Sequence, residues 1–315
     1  VEEAVIHNRG IIISIVKNVT QYLHSRRIHG NPRIYWKKMT NKTDTYQVIL
    51  KKSWQNRELL VIDEAGYRSL YFDNHLTQSR ILLANPLWLV LPYTRHMLAA
   101  LLFNPDPQQI LMIGLGGGSL AKFLLHYFPA CHLEAVDANP EIAAIAHELF
   151  FLPADPRLTL LCADGATRLT TLAAQQRRFD LILVDAFDHD GMAPSIYSDS
   201  FLIAIQEILT ENGVVAFNMN RAETTAYRQV SAQIQERFAC AIYRLPVPTP
   251  SRNEIILCSC NTITEQTMLP LRQLAHTWHD HQPPLLFGDF LERMEPVPPT
   301  AWQQWLQRIQ HLWRV

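Results

Sequence analysis

The chain has 315 residues, 48% of them hydrophobic and 18% charged, with a formal net charge of −1 at pH 7. That composition supplies a main domain with appendages and excludes a disordered chain. A net charge this close to zero gives no bulk attraction to nucleic acid or anionic lipid, so neither is expected as a partner.

Residues 1–44 mix one short apolar run with basic and turn residues and show no sustained periodicity, which reads as an N-terminal extension. Its apolar stretch at 11–16 is far shorter than the ~20 residues of a membrane span, and no cleavable signal pattern follows it. The five cysteines, Cys131, Cys162, Cys240, Cys258 and Cys260, are odd in number, scattered and free of any CxxC spacing. Neither a disulfide framework nor a zinc knuckle is implied, and a soluble protein of the reducing cytoplasm is expected. Cys258 and Cys260 share one face of a strand and read as buried small residues.

Residues 45–91 change character. Short β-rich runs at 46–50, 58–62, 68–72 and 78–82 are broken by Asn56, Ala65-Gly66 and Asp73-Asn74, the pattern of a small antiparallel meander. A helix is predicted over 92–103, closed by Asn104-Pro105-Asp106-Pro107. Strand and helix then alternate regularly. Apolar runs at 110–113, 132–136, 158–162, 179–184 and 213–218 are each followed by helical sequence, one stretch starting on Pro140 and running to 150. Two further runs, 241–245 and 254–258, lack a helix between them and form a hairpin. Residues 92–262 are therefore expected to build an α/β, Rossmann-like sheet of class I methyltransferase type, mostly parallel with an antiparallel edge hairpin. Residues 263–315 read as a C-terminal helical tail. Trp302, Trp305, Ile309 and Leu312 fall on one helical face there, suited to packing on the main domain or to a dimer contact. His276, His279, Asp280 and His281 lack a matching ligand motif, so they read as surface groups and no metal is expected.

The turn Gly114-Leu115-Gly116-Gly117-Gly118-Ser119 joins the 110–113 strand to its helix. Without Cβ atoms the backbone at Gly114, Gly116 and Gly118 can approach a ligand, and the helix start offers free N–H groups. Asp137 stands at the end of the next strand, where a carboxylate can take both hydroxyls of a ribose. Asp164-Gly165 follows the third strand, placed to accept from an adenine amino group, and Asp185 and Asp188 follow the fourth. Single acids at such places often act as helix caps. Three at successive strand ends suit a cationic sulfonium nucleoside and would repel a dinucleotide pyrophosphate.

At this point residues 59–260 resemble the spermidine synthase (polyamine aminopropyltransferase) family. Its Asp-Gly-x-x-Gln strand is similar to Asp73-Asn74-His75-Leu76-Thr77-Gln78, with one extra residue. Its glycine loop is similar to the Gly114 turn, and its Glu-x-Asp-Pro segment to Asp137-Ala138-Asn139-Pro140. Asp155-Pro156-Arg157 through Asp164-Gly165 matches another family segment. The catalytic Asp-Ser-x-Asp-Pro-x-Gly-Pro-Ala…Leu-Phe stretch resembles Asp185-Ala186-Phe187-Asp188-His189-Asp190-Gly191-Met192-Ala193 through Ile196-Tyr197. The resemblance implies that Gln78, Asp137 and Asp164 hold the nucleoside while Asp185 and Asp188 face an incoming amine. It implies decarboxylated S-adenosylmethionine, or S-adenosylmethionine itself, as co-substrate, a small-molecule amine as acceptor, and a homodimer.

The departures fall on the groups that recognise positive charge. Where the family carries an Asp inside the glycine loop for the donor's ammonium, this chain has Gly117. The family's diamine-binding Tyr-x-Glu reads Tyr93-Thr94-Arg95-His96, the Tyr before the last strand reads Thr249, and Ala186 and His189 replace a Ser and a Pro. Arg95 beside a dication costs on the order of 1 kcal/mol even in water. Arg95 would suit a carboxylate on the acceptor or on S-adenosylmethionine, or else point to solvent or cap a carboxylate in the core. Methyl transfer, and a nucleoside-binding protein without polyamine activity, stay open as alternatives.

Overall fold

The computed structural model describes residues 46–54, 57–73, 76–188, 191–192, 198–278 and 285–300. The 1–44 extension, His279, Asp280, His281 and the tail tryptophans lie outside the described residues. The chain divides into two units, one ending at Gln78 and the other beginning at Ser79.

The meander forms as expected. Strands β1 (Gln47–Trp54), β2 (Arg57–Glu64), β3 (Tyr67–Phe72) and β4 (Leu76–Leu82) make an antiparallel sheet in that order. Ala65 and Gly66 both take positive φ, which lets β2 turn directly into β3. Gln78 lies on β4 in the first unit.

In the second unit, helix α1 (Pro92–Met97) starts on its proline and passes into a 3₁₀ turn at Leu98–Leu102. The uninterrupted helix predicted over 92–103 is thus tightened in its second half, where all five side chains are fully buried. Strands β5 (Gln109–Ile113), β6 (His132–Asp137), β7 (Leu158–Cys162) and β8 (Phe179–Val184) alternate with α2 (Ser119–Tyr127), α3 (Pro140–Glu148) and α4 (Gly165–Ala174). Helix α3 stops at Glu148, two residues before the expected end. Phe151 takes a φ of 58° and the Leu152 N–H returns to the Ala146 carbonyl, which closes the last turn. The two-residue strands β9 (Phe187–Asp188) and β10 (Gly191–Met192) pair as a small hairpin. Helix α5 (Asp199–Ile208), strand β11 (Leu209–Asn220), helix α6 (Thr224–Arg237) and the antiparallel strands β12 (Ala241–Pro246) and β13 (Asn253–Ser259) follow. Helices α7 (Glu265–Trp278) and α8 (Phe287–Arg293) and the short strand β14 (Glu295–Pro296) complete the described chain.

The main sheet runs β14-β12-β13-β11-β8-β5-β6-β7. Strands β11, β8, β5, β6 and β7 are parallel, and β13 joins β11 antiparallel, as the hairpin signal implied. Period-two alternation assigns each face. Ile182, Val184, Val215, Phe217, Ile256 and Cys258 belong to a core that includes Leu169 and Leu172 of α4, Phe201 and Ile205 of α5, and Ile234 of α6. The residues between them point the other way, toward the side where α1 packs on β11 and β13. Each fully buried Leu, Val or Phe contributes on the order of 1.5–3 kcal/mol, so the register that buries both sets is strongly specified. The chain goes from β5 outward through β6 and β7, then returns to place β8 on the other flank of β5. That reversal makes the carboxyl ends of β5 and β8 the topological switch point of the sheet, the usual ligand position in such folds.

Candidate active site at the β5–β8 switch point

Gly114 leaves β5 with a φ of 94°, and a Cβ built on it would lie 2.1 Å from the Asp185 carbonyl oxygen. Only glycine permits the two strand ends to run this close, and the Asp185 N–H donates to the Ile113 carbonyl at 2.8 Å. Gly116 and Gly118 also take positive φ, and Gly118 caps α2. The acid of β6 holds this loop in shape. Asp137 accepts from the backbone N–H of Leu115 and Asn139 at 3.0 Å each and from that of Gly116. Burial pushes its carboxyl above the ordinary range, and the three amide bonds pull the other way. A carboxylate offers roughly four acceptor positions, and these three amides take most of them.

Asp185 is the first residue beyond β8. Alternation after Leu181 and Leu183 turns it toward the α1 side, and the same rule turns Asn218 of β11 and Asn253 of β13 to that side. Asn218 Nδ2 donates to Asp185 Oδ1 at 2.8 Å, and the Tyr93 hydroxyl of α1 bonds the same carboxyl. Asn253 Nδ2 donates to Asn218 Oδ1 at 2.9 Å, and Ser251 Oγ donates to Asn253 Oδ1 at 2.8 Å. Asp185 thus sits at the end of a relay of side-chain amides that fixes its orientation. Burial raises its pKa first; the bonds from Asn218 and Tyr93 oppose that, and the Asp137 charge adds to the rise. Tyr93 is pushed well above its usual value by burial and then by Asp185, so it stays protonated and donates.

Gly117 explains the missing acid of the glycine loop. A Cβ there would lie 2.6 Å from the Phe150 ring and 3.0 Å from Ser79 Cβ, while the Gly117 N–H donates to Ser79 Oγ at 2.6 Å. Phe150 is fully buried, and its carbonyl accepts from the buried Lys122 ammonium at 2.5 Å. Desolvation lowers the Lys122 pKa to about 8. The volume an aspartate would need is already filled by this packing.

The remaining sequence-predicted residues fall as follows. Asp164 is exposed and caps α4, accepting from the Thr167 N–H at 2.8 Å and from its hydroxyl at 2.9 Å; Gly165 is the buried first residue of that helix. The backbone brings the end of β7 beside Asp137, since the Ala163 N–H donates to the Asp137 carbonyl at 3.1 Å. Arg95 Nη1 donates to the Leu89 carbonyl and, at 3.3 Å, to that of Val90, and burial lowers its pKa. His96 is buried, with Nδ1 2.8 Å from the Pro92 carbonyl and its ring 4.9 Å from that of Phe290. Desolvation chiefly lowers its pKa to about 4, so it is neutral at pH 7. The Asp188 side chain and Tyr197 lie outside what the structure describes. Asn218, Asn253 and Ser251 were missed by the sequence reading. Asn218 did leave one signal, a lone amide in the apolar run Val214-Val215-Ala216-Phe217-Asn218-Met219. Among the described residues no cluster of three or more His, Cys, Asp or Glu could hold a metal, and no helix is long and apolar enough to cross a membrane.

Comparison with known proteins agrees with this fold. Residues 93–269 match the spermine/spermidine synthase domain. A polyamine aminopropyltransferase of Vibrio vulnificus is 30% identical over 56% of this chain and 59% of its own length. An eEF1A lysine and N-terminal methyltransferase of Xenopus laevis is 29% identical over 64% of this chain and 31% of its own. The chain therefore spans less than two thirds of either relative. The solved structure of human methyltransferase-like protein 13 in complex with SAH superposes with a TM-score of 0.54 at 25% identity, covering 60% of this chain and 93% of that one. A spermidine synthase bound to the transition-state analogue AdoDATO gives a TM-score of 0.58 at 17% identity, covering 76% and 81%, which is a likeness of fold. Both the sequence motifs and the matched domain make this chain a member of the spermine/spermidine synthase family, a transferase with a Rossmann-like methyltransferase fold.

Proposed function

We propose that this chain transfers an aminopropyl group from a decarboxylated S-adenosylmethionine-type sulfonium donor to a small-molecule amine. The observation that carries this reading is the Asp185 carboxyl, oriented by Tyr93 and Asn218 at the switch point with a raised pKa. A primary amine with a pKa near 10 is protonated at neutral pH and must lose that proton to act as a nucleophile. A nearby carboxylate whose own pKa is raised is a better acceptor for it than an ordinary aspartate. As the N–C bond forms, the C–S bond breaks, a neutral thioether leaves, and the proton passes to Asp185. Such a leaving group needs no metal.

Asp137, Asp164, Gly165 and the backbone of the Gly114 turn are assigned to the nucleoside, and Asp188 to the far end of the amine. Tyr197, Arg95 and His96 are assigned to the acceptor side. The family resemblance also supports a homodimer, and the odd number of scattered cysteines supports a reducing, cytoplasmic setting. Methyl transfer from intact S-adenosylmethionine is the second reading, and the filled space at Gly117 favours it, because no acid stands there to meet an aminopropyl ammonium.

Calorimetry with S-adenosylmethionine, its decarboxylated form and methylthioadenosine separates the two. Tighter binding of the decarboxylated donor, with product from an amine panel, is the expected result. Tighter binding of the carboxylated donor, with methylated product, transfers the assignment to the second reading. Binding without product from any amine overturns both and leaves a nucleoside-binding protein.

A further inference from the structure

Five cysteines are free in the structure, and two of them face each other. Strands β12 and β13 pair with Ala241 opposite Ser259 and Ile242 opposite Cys258, so the next step outward sets Cys240 against Cys260. The hydrogen-bond phase of the ladder fixes what kind of pair this is. At the other end the Val247 N–H donates to the Asn253 carbonyl, which makes 247 and 253 a hydrogen-bonded pair. Such pairs alternate along an antiparallel ladder, so 245–255, 243–257 and 241–259 share that type. Cys240 and Cys260 then occupy a non-hydrogen-bonded site. There the Cα atoms approach to about 4.5 Å and the side chains lie closest. That separation is inside the roughly 4.4–6.8 Å range a disulfide spans.

We propose that Cys240 and Cys260 form a reactive cross-strand dithiol that takes low-molecular-weight disulfides and closes into an intramolecular Cys240–Cys260 disulfide. Cys260 is exposed, and Cys240 lines a cavity of about 210 Å³ with Gln235, Ile242, Tyr243, Pro296 and Val297. A small disulfide therefore reaches the pair from solvent. The two thiols are hydrogen-bonded to each other; Cys240 donates, which holds Cys260 at a pKa of about 7 and pushes Cys240 up. Cys260 is thus the attacking sulfur. Its thiolate displaces one thiol from the disulfide and leaves a mixed disulfide on Cys260. Cys240, now without a thiolate neighbour, loses its proton to water and attacks the Cys260 sulfur, and the second thiol departs. Two protein thiols and one small disulfide become one protein disulfide and two small thiols. Cys258 sits one step back on the same face but is fully buried in the core and takes no part.

The test treats the native chain at pH 7 with 5,5′-dithiobis(2-nitrobenzoate) and maps peptides without reduction. The expected result is a linked Cys240–Cys260 peptide that forms about tenfold or more faster than the adduct on exposed Cys162, with no aromatic adduct left on Cys260. Cys240→Ser should trap that adduct on Cys260, and Cys260→Ser should abolish the fast phase. A stable aromatic adduct on wild-type Cys260, or a linked peptide that forms no faster than the Cys162 adduct, overturns the proposal. Because the decisive readout uses the unaltered chain, a variant that fails to fold does not blunt it.

Discussion

Asn218 donates a 2.8 Å hydrogen bond to Asp185 across neighbouring parallel strands, one step beyond the point where Phe217 stands opposite Val184. The bond favours the ionised carboxylate and so restrains the rise that burial imposes on Asp185. Replacing Asn218 by Ala removes it. The acid limb of kcat/KM should then move to higher pH. Nucleoside affinity should hold within about twofold. An unshifted limb would show that Asn218 does not tune Asp185.

Gly117→Asp tests the packing explanation for the missing acid. The new side chain would meet the Phe150 ring and Ser79, and overpacking of this kind costs about 1–3 kcal/mol. Denaturant unfolding should show a stability loss of that size, and calorimetry should show no gain in affinity for the decarboxylated donor. A stable variant with improved donor affinity would mean that the space is open.

Much of the fold was legible because alternating strand and helix signals, and their hydrophobic periods, are local. The glycine turn and its following acids were legible for the same reason. The relay from Ser251 through Asn253 and Asn218 to Asp185 was not, since it joins residues on different strands whose order no local pattern encodes. Phe150 is a further case. Its burial against Gly117 follows from where α3 ends, and Phe151 ends it in the left-handed region without the glycine that would announce it. Cys260 was grouped with Cys258 as buried, whereas it is exposed, and only the pairing of β12 with β13, one step beyond Ala241 and Ser259, brings it toward Cys240.

Lys122 should leave a signature in stability against pH. Its pKa is about 8 in the folded chain, lowered by burial, against an ordinary value of 10.5. Between those values the unfolded chain binds more protons, so stability rises as pH rises through this window. Lys122→Met should be more stable than wild type at pH 7 and should lack this part of the rise. Chemical denaturation of both chains between pH 7 and about 10.5 reads the difference. Parallel curves would contradict the assigned shift.

Asp137→Ala should loosen the Gly114 turn, because the Leu115 and Gly116 amides, and that of Asn139 at the start of α3, lose their shared acceptor. Each neutral hydrogen bond is worth about 0.5–1.5 kcal/mol and those to a charged group more, so nucleoside affinity should fall at least about tenfold. The loss should extend to S-adenosylmethionine, its decarboxylated form and methylthioadenosine alike, measured by calorimetry. Unchanged affinities would remove Asp137 from the site.

The most direct measurement concerns Asp185→Asn, an isosteric change that keeps an oxygen for Asn218 and Tyr93 to reach. Turnover with the accepted amine and nucleoside affinity should be read on the same preparation. Loss of turnover by a factor of about 10²–10⁴, with affinity unchanged, is the outcome required of a residue that receives the amine's proton. Turnover equal to that of the wild type would contradict it.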